Sequence, residues 1–164
     1  MKNNPDPEAI EAIYNEVIRQ YDLEMNSLDG LNNKSIGIIA FDGTLLSLFS
    51  LSVVQIIKFP NENLTLFLVA ISISYFIILL SIAFAAYSFR VVSVNTVNAK
   101  NLHIDYYLHN KCDVLNQLCS NIADNLEKNK IISIKKKVFI NHALLFAVLG
   151  VLCICLSLIF VYSA

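Results

Sequence analysis

Residues Leu64–Phe89 read LTLFLVAISISYFIILLSIAFAAYSF, 26 positions without one formal charge. At 1.5 Å per residue such a helix reaches about 39 Å, beyond the roughly 30 Å of hydrocarbon in a bilayer. A helix inside a water-soluble protein is seldom so long and so apolar on every side. The stretch therefore predicts a membrane span. Working outward, Ser35–Phe59 and Val138–Ala164 are of the same kind. In the first, Asp42 is the only acid before Lys58; in the second, only His142 is ionisable. The expected fold is all-α, an integral membrane protein with three transmembrane helices at 35–59, 64–89 and 138–164. A cytoplasmic amphipathic helix over 1–34, a short external hairpin at 60–63 and a cytoplasmic helical loop over 90–137 complete it.

Charge sets the expected orientation. The N-terminal segment and the Arg90–Lys137 loop hold 11 of the 12 Lys and Arg residues, and Lys58 in the hairpin is the other. Basic loops stay on the cytoplasmic side. The chain then runs through a plasma (inner) membrane with its N-terminus cytoplasmic and its C-terminus external. The first 34 residues carry seven acids and three bases, unlike the basic start of a signal peptide, so the first span is expected to act as an uncleaved anchor. Cys112 and Cys119 fall in a reducing compartment and Cys153 and Cys155 in lipid, so no disulfide is expected.

Both cytoplasmic pieces carry heptad stripes. Asp6-Pro7-Glu8 reads as a helix start, and Tyr14, Ile18, Tyr21, Met25 and Leu28 follow at steps of four and three. Asp29-Gly30 with Asn32-Asn33 reads as a turn that ends this helix before the membrane. The loop repeats the spacing at Leu108, Cys112, Leu115, Cys119, Ile122 and Leu126. Val91–Val97 is read as a continuation of the second span, with a turn at Asn98–Asn101. The first piece is net acidic and the second net basic, which favours packing of the two stripes within one chain or between chains. Lys128, Lys130, Lys135, Lys136 and Lys137 lie beside the membrane, where they enforce topology and contact anionic lipid.

Within the spans, small residues recur along one face: Gly37, Ala40, Thr44 and Ser47; Ala70, Ser74, Ser81, Ala85 and Ser88; Ala143, Ala147, Gly150 and Ser157. Small side chains let helix backbones approach in lipid, where hydrophobicity does not draw helices together. All three spans are thus expected to pack against other helices. Asp42 lies eight residues past Lys34, about 12 Å along the helix. An acid at that depth is costly and takes a partner or meets water. By helical angle it points away from the small face of its own span, toward a second neighbour, a partner subunit or a water-filled space. His142, Asn141 and Arg90 are its three candidate partners.

Catalytic signatures do not emerge. No phosphate-binding glycine loop, zinc spacing or nucleophile elbow occurs. His103, Asp105, His109, Cys112 and Asp113 form only a loose polar group, and Asn63-Leu64-Thr65 is a glycosylation sequon at the membrane edge. No enzyme activity, metal, cofactor or nucleic-acid partner is expected.

The order of parts carries a resemblance. The acidic helix passes through Leu28-Asp29-Gly30-Leu31-Asn32-Asn33-Lys34-Ser35 into Gly37-Ile38-Ile39-Ala40-Phe41-Asp42-Gly43. A second span, a helix ending Asn125-Leu126-Glu127-Lys128-Asn129-Lys130 and a last glycine-containing span follow. This plan resembles small prokaryotic multi-span membrane proteins of the Pycsar-effector and SLATT type. Where those often show an Asp-x-Lys-Ala run, this chain has Asn32-Asn33-Lys34-Ser35. The resemblance implies antiphage defence through a nucleotide signal and disruption of the inner membrane, and it assigns no ligand-binding residue. Two function classes stay open. One is a membrane effector or sensor whose cytoplasmic helices take a signal and whose spans oligomerise or perturb the membrane. The other is a structural or accessory subunit that binds a partner protein. A small transporter is disfavoured, since no internal repeat is visible.

Overall fold

The computed structural model describes residues 7–56, 64–90 and 110–162, and all of them except Asn110 are helical. Helix α1 spans Pro7–Ile56, α2 Leu64–Arg90 and α3 Lys111–Tyr162. Each is long and apolar enough to cross a membrane, so the chain is an all-α membrane protein with three spans. The hairpin at 60–63, the continuation at Val91–Val97 with its turn, the sequon asparagine, and Leu108, His103, Asp105 and His109 lie outside the described residues. Among the described residues no cluster of metal-binding side chains occurs.

Helix starts follow the sequence. Pro7 occupies the first position of α1, where its missing N–H costs nothing. Asn110 precedes α3 and its carbonyl accepts the Val114 N–H at 3.1 Å. The expected break near Gly30 is absent: α1 continues through it. One glycine in a helix costs only about 1 kcal/mol, and Leu28 and Leu31 on either side are both buried. The Lys137–Val138 boundary likewise falls inside the unbroken α3.

The chain divides into two compact units. One comprises Met1–Gly30 and Val92–Ile134. Its buried residues include Ile10, Leu28, Cys119, Ile122 and Leu126, with Tyr14, Ile18, Tyr21, Met25, Cys112 and Leu115 partly buried. The two heptad stripes are therefore the inward faces of their helices. Lys111 pairs with Glu11 at 3.2 Å across the two helices. On the outside, Arg19 donates to both Glu16 carboxylate oxygens at 2.9 and 2.7 Å, and Gln20 adds a bond at 2.9 Å. These contacts hold the Glu16 carboxyl down at about 2 and raise the Arg19 guanidinium. Burial pushes the Cys119 thiol up.

The other unit comprises Leu31–Val91 and Lys135–Ala164, the three-helix bundle. Its buried positions step by four and three. They are Leu31, Ser35, Ile38 and Asp42 on α1, and Phe67, Ile71, Ser74, Ile78, Ser81, Ala85 and Ser88 on α2. On α3 they are Lys136, Ile140, Ala143, Ala147, Gly150, Ile154 and Ser157. This is coiled-coil spacing, which keeps one seam of each helix facing its neighbours. Ser35 meets Ser88 and Tyr75 meets Ser50, so α2 runs antiparallel to α1. Ser88 meets Lys136 and Ser81 meets Ala143, so α2 runs antiparallel to α3 as well.

The bundle is inverted relative to a water-soluble protein. Leu48, Leu51, Leu66, Val69, Phe76, Leu145, Val148, Leu152 and Leu156 are exposed, while serines, Asp42 and Lys136 are buried. A continuous apolar surface of that kind belongs in lipid. Exposed hydroxyls obey the same solvent: those of Thr44, Ser47, Ser50, Ser52 and Ser72 each donate to the carbonyl four residues back. These five hydroxyls find their acceptor within their own helix and need no water.

Candidate functional site

The seam alternates. On α2 every seventh residue is a serine (Ser74, Ser81, Ser88), and the matching α3 positions are Lys136, Ala143, Gly150 and Ser157. Ser35 and Asp42 occupy the same position of α1. The intervening positions are apolar, and Leu31, Ile38, Ala85 and Ile140 cluster there against Ala143. Hydroxyls and small side chains thus form a polar ladder inside an apolar shell.

At one end of the ladder, Ser35 shares its single hydroxyl proton between the Leu31 carbonyl at 3.2 Å and Ser88 Oγ at 3.3 Å. Ser88 in turn donates to the Lys136 carbonyl at 3.5 Å. The Lys136 ammonium, 1% exposed, donates to Asn32 Oδ1. This corrects the expectation of five lysines facing lipid headgroups. Lys128, Lys130, Lys135 and Lys137 are exposed, but Lys136 lies three residues past Ser133 and four before Ile140, on the inward stripe.

One heptad further along, Asp42 is fully buried. Ser35 faces Ser88, so one heptad on in antiparallel helices the side chain opposite Asp42 is Ser81. The Ser81 hydroxyl, however, sends its proton to the Ala143 carbonyl at 2.8 Å. Neither carboxyl oxygen of Asp42 receives a hydrogen bond. None of the expected partners meets it. Asn141 and His142 are exposed, because they sit between the inward positions Ile140 and Ala143 and so point outward. His142 Nδ1–H donates to the Val138 carbonyl, 2.7 Å away, and the ring stacks on Phe84 with ring centres 5.8 Å apart. Arg90 is exposed in the last turn of α2. Asp42 faces the interior of its own bundle, away from the exposed face of Gly37, Ala40, Thr44 and Ser47.

The small-residue faces divide. Ser74, Ser81 and Ala85 are buried on α2, and Ala143, Ala147 and Gly150 on α3. A Cβ on Gly150 would lie 2.5 Å from Cγ1 of Ile78, so glycine is what lets α2 and α3 come together there. On α1, Gly37, Ala40, Thr44 and Ser47 are exposed, and a Cβ on Gly37 would meet nothing within 4 Å. That helix buries its other face. An apolar groove of about 530 Å³, with Lys34, Gly37, Phe41, Leu144 and Val148 among its walls, opens beside the exposed small residues.

The buried face of α1 and the inward Lys136 were missed by a reading based on residue size. Their signal was spacing: the α3 stripe continued past Leu126 in steps of three and four reaches Asn129, Ser133, Lys136, Ile140 and Ala143. From Leu28, steps of seven reach Ser35 and Asp42. Comparison with protein families, curated proteins and solved structures gives no match.

Proposed function

We propose that this chain is a membrane effector or sensor. Its charged helical unit takes the signal from the cytoplasm, and its spans assemble with further copies to perturb an inner membrane. The observation that carries this is the small-residue face of α1, left exposed when α2 and α3 bury theirs. A face of Gly37, Ala40, Thr44 and Ser47 in lipid supports close approach of another helix. The groove at Gly37 leaves room for it. The charge of the loops supports a cytoplasmic N-terminus and an external C-terminus. The nucleotide signal of the Pycsar-type proteins is the first trigger to try.

Crosslinking tests the assembly. In a cysteine-free background, Ala40→Cys is expected to join copies in native membranes, whereas Ile73→Cys on the outer face of α2 is not. Membrane potential after induced expression tests the activity: with its trigger the chain depolarises cells, and Asp42→Ala alters the response. A strictly monomeric chain in membranes sinks the assembly. An unchanged potential together with a stoichiometric co-purifying protein replaces this reading with that of an accessory subunit.

A further inference from the structure

The buried carboxyl of Asp42 has a consequence independent of assembly. Inside the bundle it meets a hydroxyl whose proton is already committed: Ser81 donates to the Ala143 carbonyl at 2.8 Å. A serine hydroxyl has one proton to give and lone pairs to receive with. An ionised carboxylate can only accept. The observed direction of the Ser81 bond therefore leaves an ionised Asp42 with no donor, buried and uncompensated, a state that costs several kcal/mol. A neutral carboxyl reverses the match. Its O–H points at the free lone pairs of Ser81, and only the carbonyl oxygen of the acid is left without a donor.

We propose that Asp42 and Ser81 form a proton-binding site, with Asp42 held as the carboxylic acid. Asp42 of α1 donates to Ser81 of α2, and Ser81 donates to the Ala143 carbonyl of α3. One proton then ties all three spans in a single relay. Loss of that proton, by breaking of the carboxyl O–H and transfer to water, leaves a carboxylate that competes for the Ser81 hydroxyl. The α2–α3 bond is given up for an α1–α2 bond, so ionisation rewires the seam.

Among the described residues, the surrounding charges do not supply a counterion. Lys136 on α3 is seven residues before Ala143, about 10 Å along the helix, and its ammonium is engaged by Asn32. His142, next to Ala143, points outward against Phe84. Lys34 on α1 and Arg90 on α2 are exposed. On the inward face of α2 the described residues from Phe67 to Ser88 include no ionisable side chain.

Infrared spectroscopy of the full chain in phospholipid vesicles, isotope-edited at the aspartate carboxyls, tests this. An aspartate in water ionises near pH 4. At about pH 7 a carboxylic-acid C=O band should remain, and it should be lost in Asp42→Asn. Ser81→Ala should keep the band but shift it to higher frequency, because the acid no longer donates to a hydroxyl. Absence of an acid band from the wild-type chain at that pH overturns the proposal without need of any variant. A band unmoved by Ser81→Ala overturns the relay.

Discussion

The part of α3 between Lys111 and Ile134 and the part from Lys135 onward obey one spacing in two opposite solvents. In the first, Cys119, Ile122 and Leu126 are buried, and Asp113, Asp124, Glu127 and Lys128 are exposed. In the second, Leu145, Val148, Leu152 and Leu156 are exposed, and Lys136, Ala143, Gly150 and Ser157 are buried. The positions that face neighbouring helices never change phase. What changes is which residues occupy them. Inward spacing thus reports helix packing alone, and the outward residues report the solvent.

Four measurements can break or sharpen that contrast. The largest effect is expected from Leu28→Ala, which empties a site 1% exposed in the charged unit. A loss of about 2–5 kcal/mol is expected, read by reversible unfolding in mild detergent, with Leu23→Ala, at an exposed position, nearly silent. Next comes a charge placed on the outside of each unit. Leu152→Asp should cost roughly 3 kcal/mol of membrane insertion, measured by the fraction inserted in a translocation assay. Gln117→Asp, equally exposed, should change little, and equal effects at both would erase the difference in solvent. A third pair concerns close approach. Gly150→Ala should destabilise by about 1–3 kcal/mol, while Gly37→Ala, which meets nothing, should leave the melting temperature of the purified chain in place.

The smallest effect belongs to the surface pair of Glu16 and Arg19. Its carboxyl is held at about 2 in the folded chain, below the ordinary value. The contribution is therefore present above the ordinary carboxylate range and is lost as pH falls through about 2. Arg19→Ala should shift the Glu16 titration upward in a carboxyl-resolved NMR experiment. An unshifted titration would mean that solvent screens the pair completely.

Much of the fold was legible because each feature had a local cause. Twenty-six residues without a charge announce a span whatever surrounds them. The stripes at Tyr14–Leu28 and Cys112–Leu126 stood out because apolar side chains contrast with charged neighbours. Inside the membrane that contrast disappears, since inward and outward positions are both uncharged. Residue size then favoured Gly37, Ala40, Thr44 and Ser47 as the contact face of α1, although that helix buries Leu31, Ser35, Ile38 and Asp42. The turn expected at Asp29-Gly30 failed for a different reason. Local preference for a turn is worth about 1 kcal/mol, less than the burial of Leu28 and Leu31 returns at roughly 1.5–3 kcal/mol each. Lys136 looked like its neighbours Lys135 and Lys137 because composition does not distinguish three consecutive lysines, whereas helical phase does.

The seat of Ile78 against Gly150 also bears on how far α2 can slide. Serines at 74, 81 and 88 repeat every seven residues, so a slip of two helical turns would offer α3 the same hydroxyls in the same order. Hydrogen bonding alone is thus indifferent to the axial position of α2. Steric fit is not: the slip that brings Ser74 to Ala143 also carries Ile78 onto Ala143, where a methyl group occupies the space left vacant at Gly150. A single missing methyl group therefore acts as the notch that makes an otherwise repeating interface lock in one place.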